Sequence, residues 1–432
     1  MDDITLSLVG DVLISKRLPE RHYAGMDSIV ELLNRHECRF GNLETTIHNM
    51  EGYPEAYPGG MHAAAKPLCL EDLRRFGFNL FGTANNHSMD YSHGGLLATI
   101  KYLDKYGIPY AGTGRNLADA SRYATCDCSN GRIALLSVTS SFHDSYAAGP
   151  QNQDMQGRPG VAPLRHKAIY ELEEKKFNVL QEIAKVTGIS DYHNQAIKEG
   201  FMCPSTNFKF GVYEFKKGEK NTVYTYPLQE DLERTINEIK EAKYFSDVVI
   251  VSVHSHQFKG GNKEHPAEFI RIFAKACIDA GADIIVMHGP HLLRGIEIYK
   301  TGIIFYSLGN FIFQYEELDV LPEEFYNKYG VTRQTTTGVG NVMNIKSKKN
   351  TIGLSVEPKT WKSVLVSMSI KPELMKVNLY PIELIHGTKG LRGLPVLSND
   401  KSIIEHVAVL SKEFETNIVI NNHLGYCEIK RN

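Results

Sequence analysis

Disulfide frameworks, membrane helices and charge of one sign are all missing from this chain. Its 432 residues include seven cysteines, an odd number, and no two of them form a CxxC pair. Cys126 and Cys128 are two apart on an expected strand and so share a face. This pattern argues against a disulfide framework and a structural zinc ribbon, and for reduced thiols. No apolar run approaches the ~20 residues of a membrane helix. Lys and Arg number 48 against 50 Asp and Glu, and the densest basic cluster is only Lys346, Lys348 and Lys349. Neither nucleic acid nor an anionic membrane is therefore an expected partner. The opening MDDITLSLVGDV is acidic and runs straight into a strand. It lacks the basic segment and apolar core of a signal peptide, which gives the expectation of a cytoplasmic protein. Nucleotide and nucleophile signatures are absent too. Gly112-Thr113-Gly114 lacks the third glycine of a dinucleotide fingerprint, Tyr306-Ser307-Leu308-Gly309 is no nucleophile elbow, and there is no Walker A sequence.

What the chain does have is histidine at the ends of apolar runs. Residues 248–253 read as a buried strand that stops at His254 and His256, and residues 284–287 as another that stops at His288 and His291. In open α/β sheets ligands bind beyond the carboxyl ends of the strands. Three earlier stretches end in the same manner: Gly10-Asp11, Gly41-Asn42-Leu43-Glu44 and Asn85-Asn86-His87.

The surrounding pattern alternates. Strands are expected over residues 4–9, 39–44, 78–83 and 108–111, and helices around 29–33, over 68–76 and from 92 to 107. A hairpin is expected around Asn130-Gly131. Such alternation predicts an α/β layered fold. Residues 142–227 break it with a Gly- and Pro-rich loop, helical stretches at 168–186 and 191–199, and a β-like piece at 208–225. They are expected to be an inserted capping segment within a core of residues 1–315, since the pattern resumes with helices at 232–242 and 264–280. Residues 316–432 are expected to form a C-terminal extension on that core, with polar loops over 326–349, a hairpin of 363–370 and 374–380, and a helix over 402–410.

The strand-end residues offer carboxylate oxygen, amide oxygen and imidazole nitrogen together. That mixture suits zinc, manganese, iron or nickel, whereas calcium and magnesium prefer all-oxygen shells. No cysteine is among them, which argues against a closed structural zinc site. Taken singly, Asp11 is an ordinary turn residue and Asn86-His87 an ordinary turn or helix cap. His254 and His256 share a side of their strand, so one of them can be a partner of a ligand rather than a ligand. Their common placement carries the reading. A cluster this large allows two ions, bridged by a carboxylate, that activate water.

Seven segments resemble the bacterial capsule-synthesis CapA family, associated with poly-γ-glutamate, within the calcineurin-like metallophosphoesterase superfamily. They are GDVLIS (10–15), GNLETTI (41–47), ANNHSMDYSHGGL (84–96), GRPGVAPLRH (157–166), VSVHSHQF (251–258), HGPHLLRGIEIY (288–299) and IFYSLGNFIF (304–313), in the family's order. The resemblance implies a four-layer α/β/β/α sandwich of the metallo-dependent phosphatase type. By position, Asn86 and His87 stand where the superfamily has an Asn ligand and the His that assists the leaving group. His254 stands at its middle ligand, and His288 and His291 at its closing pair, spaced HxxH rather than HxH. Where the superfamily opens with Asp-x-His, this chain has Asp11-Val12-Leu13; where it has Gly-Asp, this chain has Gly41-Asn42-Leu43-Glu44, with Glu44 as the candidate bridge.

The resulting expectation is a metal-dependent hydrolase. Asp11, Glu44, Asn86, His254, His288 and His291 hold one or two divalent ions (manganese, zinc or iron), Asn42 and His256 stand with them or behind them, and His87 protonates the leaving group. Metal-activated water attacks a phosphoester or an amide of the γ-glutamyl type in an anionic small molecule or polymer. His62, in the loop over 51–65, and Arg158 and Arg165, as forked donors, are the expected substrate contacts. The alternative is a non-catalytic accessory protein of capsule or poly-γ-glutamate synthesis that binds polyanionic chains, which predicts a membrane anchor or secretion signal.

Overall fold

The run ITLSLVGDVL carries few polar side chains, and the computed structural model, which describes residues 3–331, 338–388 and 390–431, buries nearly all of it as β1 (Ile4–Leu13). A strand buried on both faces belongs inside a sheet. β1 runs parallel to β2 (Cys38–Leu43), and β2 parallel to β3 (Leu80–Gly82). Helices α1 (Met26–Asn34), α2 (Cys69–Phe76) and α3 (Ser92–Lys105) alternate with these strands. Their apolar side chains, among them Ile29, Leu33, Leu73 and Leu103, cover Val9 and Phe81 on one face of the sheet.

A second, six-stranded sheet contains β4 (Gly131–Thr139), β5 (Val248–His254) and β6 (Ile284–His288), all parallel. Helices α4 (Gln229–Phe245) and α5 (Glu268–Asp279) lie on its outer side. The two-residue period of a strand sorts β5 cleanly. Val249, Val251 and Val253 pack with Phe269 and Phe273 of α5, while Val248 and Ile250 join Leu6, Leu8 and Phe40 of the first sheet in a shared apolar layer. The same alternation puts Ser252 and His254 on the shared face of β5. Ile284 and Val286, which also belong to that layer, bring His288 to it from β6.

The first sheet has ten strands. β7 (Asn310–Phe313) pairs with the end of β1, and β8 (Lys362–Ile370) lies antiparallel to its beginning. β8 continues into β9 (Leu374–Leu384), which pairs in turn with Leu424–Lys430. The expected C-terminal hairpin is thus present, and it fills the middle of the large sheet.

Three elements differ from the pattern reading. Residues 166–173, expected to be helical from 168, form a strand, and the helix begins only at Glu174. Tyr170 stacks on Phe215 of the neighbouring strand, a cross-strand contact that local propensity does not register. With Phe208–Phe210, Tyr213–Gly218 and Thr222–Pro227, this strand makes a separate four-stranded sheet. The helix expected from 264 starts at Glu268, because the residue before Pro266 is disfavoured in the helical region. Asn262–Pro266 instead pairs with Phe258–Lys259. The polar loops expected over 326–349 are largely helical, with Glu323–Lys328 and Val339–Lys346 burying Phe325, Val342 and Met343 against Met61; residues 332–337 of that stretch lie outside the described residues. Among the described residues no helix is long and apolar enough to cross a membrane, and the seven cysteines are free thiols.

Candidate metal centre

The shared apolar layer gives way to polar side chains at the carboxyl ends of the parallel strands. His254 and His288 are paired positions of β5 and β6. β1 reaches the same place through an irregularity. Leu8 lies opposite Phe40 and Asp11 opposite Asn42, so β1 takes three residues where β2 takes two. The extra residue returns Asp11 to the face that Leu8 occupies, and bulges commonly re-aim a side chain in this manner. Gly10 makes the bend possible, since a Cβ there would lie 1.9 Å from the Gly309 carbonyl oxygen. The Asp11 N–H donates to that same carbonyl at 3.0 Å.

Asp11, Glu44, His254 and His288 are fully buried, and His291 nearly so. Asp11 Oδ1 lies 3.6 Å from His254 Nδ1 and 3.5 Å from His288 Nδ1, and its Oδ2 lies 3.7 Å from His291 Nδ1. Glu44 Oε1 lies 3.6 Å from His254 Nε2 and 3.8 Å from His291 Nε2. These separations are too long for hydrogen bonds. Those from Asp11 to His288 Nδ1 and from Glu44 to His254 Nε2 and His291 Nε2 are close to the edge of a tetrahedron built on ~2.1 Å metal–ligand bonds, about 3.4 Å. Three overlapping sets, Asp11 with His254 and His288, Glu44 with His254 and His256, and Asp11 with Glu44 and His291, each keep their donor atoms within 4.8 Å of one another.

The surrounding groups orient this cluster. Asn42 Nδ2 and the Gly289 N–H donate to the two oxygens of Asp11 at 2.8 and 3.0 Å. The Ser252 hydroxyl lies 2.8 Å from His288 Nε2. Asn310 Nδ2 donates to the Thr360 carbonyl, which turns its Oδ1 toward His291 Nδ1 at 2.8 Å. An amide oxygen only accepts, so His291 carries its proton on Nδ1 and leaves the Nε2 lone pair facing Glu44. His291 also sits at φ +58°, a left-handed conformation that side chains rarely adopt and that recurs at functional sites.

The electrostatics describe a donor set without its counter-charge. Both Glu44 oxygens lack any hydrogen-bond partner, and burial, then the charges of Asp11 and Asp90, push its pKa well above the carboxylate range. Burial raises Asp11 to about 7 against the opposing pull of Asn42 and Gly289. Burial lowers His288 to about 3 and His291 to about 4, and holds His254 well below its ordinary value. The imidazoles are thus biased toward their neutral form, His254 Nδ1 lying 2.9 Å from His288 Nδ1, while a buried charge demands a partner. These residues fit a metal ion.

The remaining expected residues are placed as follows. Asn86 is buried, its Nδ2 donates to the Gly59 carbonyl at 2.9 Å, and its Oδ1 has no partner. His87 Nδ1 lies 2.6 Å from Asp90 Oδ2, and Asp90 also receives the Gly59 and Ala63 N–H groups. His256 Nε2 lies 3.2 Å from His254 Nε2. His62 Nε2 faces the Glu55 carbonyl at 2.8 Å, and its Nδ1 is unpartnered. Arg158 is exposed and donates to the Ala147 carbonyl at 3.0 Å. Arg165 is committed within the protein, its Nε and Nη2 bonded to Asp231 at 2.9 and 2.8 Å. Leu13 is fully buried among apolar neighbours. Asp90 and Asn310 join the site without having been expected there. Asp90 is three residues past His87, and Asn310 is a polar residue opening the apolar run FIF; both spacings are visible in the sequence.

Comparison with known proteins gives a consistent set of relatives. The family model described as bacterial capsule synthesis protein PGA_cap matches residues 5–315. Protein y4sH of Sinorhizobium fredii is 35% identical over 98% of this chain and 93% of its own. The capsule biosynthesis protein CapA of Bacillus anthracis is 27% identical over 72% of this chain and 60% of its own. A probable polyglutamine synthesis accessory protein of Mycobacterium tuberculosis is 24% identical over 64% of this chain and 55% of its own.

Proposed function

The chain belongs to the bacterial capsule synthesis protein family, and from that membership and the buried cluster we propose that it is a metal-dependent hydrolase of an anionic substrate. The observation that carries the reading is Glu44, a fully buried carboxylate with no hydrogen-bond partner, standing between His254 and His291. The two facing sheets with helices outside them support the four-layer α/β/β/α arrangement of the metallo-dependent phosphatases.

Asp11, Glu44, Asn86, His254, His288 and His291 are the residues that would hold one or two ions, with His256 beside them. Manganese, zinc or iron bound there would supply a Lewis acid that activates water and offsets charge developing on the attacked group. The protein's own part is orientation. Asn42 and Gly289 fix Asp11, Ser252 fixes His288, and Asn310 fixes the proton of His291. Asp90 holds the His87 ring by Nδ1, which leaves Nε2 to pass a proton to the leaving group. The bond cleaved is a phosphoester or a γ-glutamyl amide. A second reading, a non-catalytic accessory protein that binds polyanionic chains, draws on the name of the mycobacterial relative.

Metal analysis and thermal unfolding of the wild type beside His254→Ala and Glu44→Ala test this. The wild type is expected to hold metal and to gain several degrees in Tm on metal loading, about 2.7 kcal/mol at one hundred times the Kd; both variants are expected to lose this. A screen on phosphoester and γ-glutamyl substrates follows. A wild type that stays inactive after loading with manganese, zinc or iron rejects the hydrolase. If it holds metal and is inactive, the accessory reading stands.

A further inference from the structure

A cavity of about 510 Å³ reaches the candidate metal centre through Pro290 and His291. Its walls are the hairpin bearing Lys263 and Glu264 and the segment bearing Leu354, Glu357 and Lys359. A recess of about 520 Å³ around Trp361, His386 and Arg392 contains none of the cluster residues, whereas the first cavity is lined by His291.

The charges along it are unevenly matched. Lys359 is taken by Glu264 at 2.8 Å, and Glu264 also meets His406 at 2.6 Å. Among the described residues the Lys263 ammonium has no ion pair and no hydrogen bond. It is nevertheless near the site. It lines the same cavity as His291. Behind it, Arg294 is 1% exposed and faces no carboxylate among the described residues. Its Nε donates to the Lys263 carbonyl at 2.7 Å and its Nη2 to the Gln257 carbonyl at 3.0 Å, whereas Nη1 is buried and unpartnered. Arg294 therefore grips both ends of the stretch from Gln257 to Lys263 and still carries a free donor. A buried guanidinium is costly, and two of its donors are fixed on these backbone carbonyls.

We propose that Lys263 is the anion-recognition residue of this centre, binding a carboxylate or phosphate of the substrate that arrives through the cavity at His291. Lys263 contacts the anion directly. Arg294 positions Lys263 by holding the hairpin. The inference rests on the hydrolase reading only in calling the bound molecule a substrate.

The test is calorimetric titration of two probes, γ-linked triglutamate and inorganic phosphate, into the wild type, Lys263→Gln, Lys263→Glu and Arg294→Gln, with metal content measured on the same samples. The wild type is expected to bind at least one probe. Lys263→Gln should weaken it about threefold and Lys263→Glu at least tenfold, with the difference shrinking at high salt. Arg294→Gln should also weaken it, but the deciding variants are those of Lys263, whose exposed side chain can be changed without disturbing the core. Preference for triglutamate identifies a carboxylate and preference for phosphate a phosphoester. A wild type that binds neither probe, or a Lys263→Glu protein within twofold of it, overturns the proposal. A wild type without metal that still binds a probe through Lys263 removes the hydrolase reading and leaves this one.

Discussion

Asp231 is fully buried and gathers two arginines, Arg165 through a forked pair and Arg234 at 2.6 Å. Burial raises its carboxyl, but the hydrogen bonds and charges of Arg165 and Arg234 outweigh burial and leave the pKa below the ordinary value. A carboxylate depressed in the folded state contributes stability above its unfolded pKa, about 3.9, and loses it as pH falls toward the folded value. Asp231→Asn is therefore expected to cost about 2 kcal/mol at neutral pH and to flatten the acid limb of stability below pH 4, as read from urea midpoints across pH. The same pair shows what is legible at this scale. Asp11, Glu44 and the four histidines can be found because each ends an apolar run. Arg165 reads as an unpaired forked donor in the sequence because Asp231, which it bonds, lies 66 residues away. Lys263 is invisible there because its significance is the lack of an ion pair among the described residues, which spacing does not encode.

Elements are legible in type more than in extent. The sequence pattern ends β1 at residue 9, where the apolar run breaks, but the strand continues to Leu13 across the bulge that aims Asp11. Gly10→Ala tests that bend. The added methyl would meet the Gly309 carbonyl oxygen, a backbone atom that cannot swing aside. It is expected to cost about 3 kcal/mol or more and to abolish metal binding by displacing Asp11. Gly387→Ala, where an added methyl meets nothing within 4 Å, is the control and should leave both measurements unchanged. The strand at His166–Glu173 escapes the pattern for a different reason. Tyr170 and Phe215 are brought together only by the sheet, so tertiary contact overrides local preference.

At the scale of the whole molecule, the family match ends at residue 315, yet β8 and β9 fill the middle of the large sheet, where β8 pairs with both β1 and β9. A chain ending at residue 316 is expected to lose cooperative unfolding and to bind a hydrophobic dye, since Leu6 and Leu8 would lose Val366 and Met368. Residues 166–227 differ, because His166 and Pro227 are paired neighbours that a short Gly-Ser link could join. Their removal is expected to leave a cooperative, metal-binding core, checked by calorimetry. The hairpin itself is legible in the sequence; its neighbour is not, because pairing across most of the chain is non-local. The pairing of β1 with β8 also sets a schedule for synthesis. β1 leaves the ribosome first, while its antiparallel neighbour begins at Lys362. At ~5–20 residues per second, one side of β1 waits about half a minute for its partner, an open edge that other nascent chains can join. Yield in the cell should accordingly follow the pace of translation and the supply of ribosome-associated chaperones.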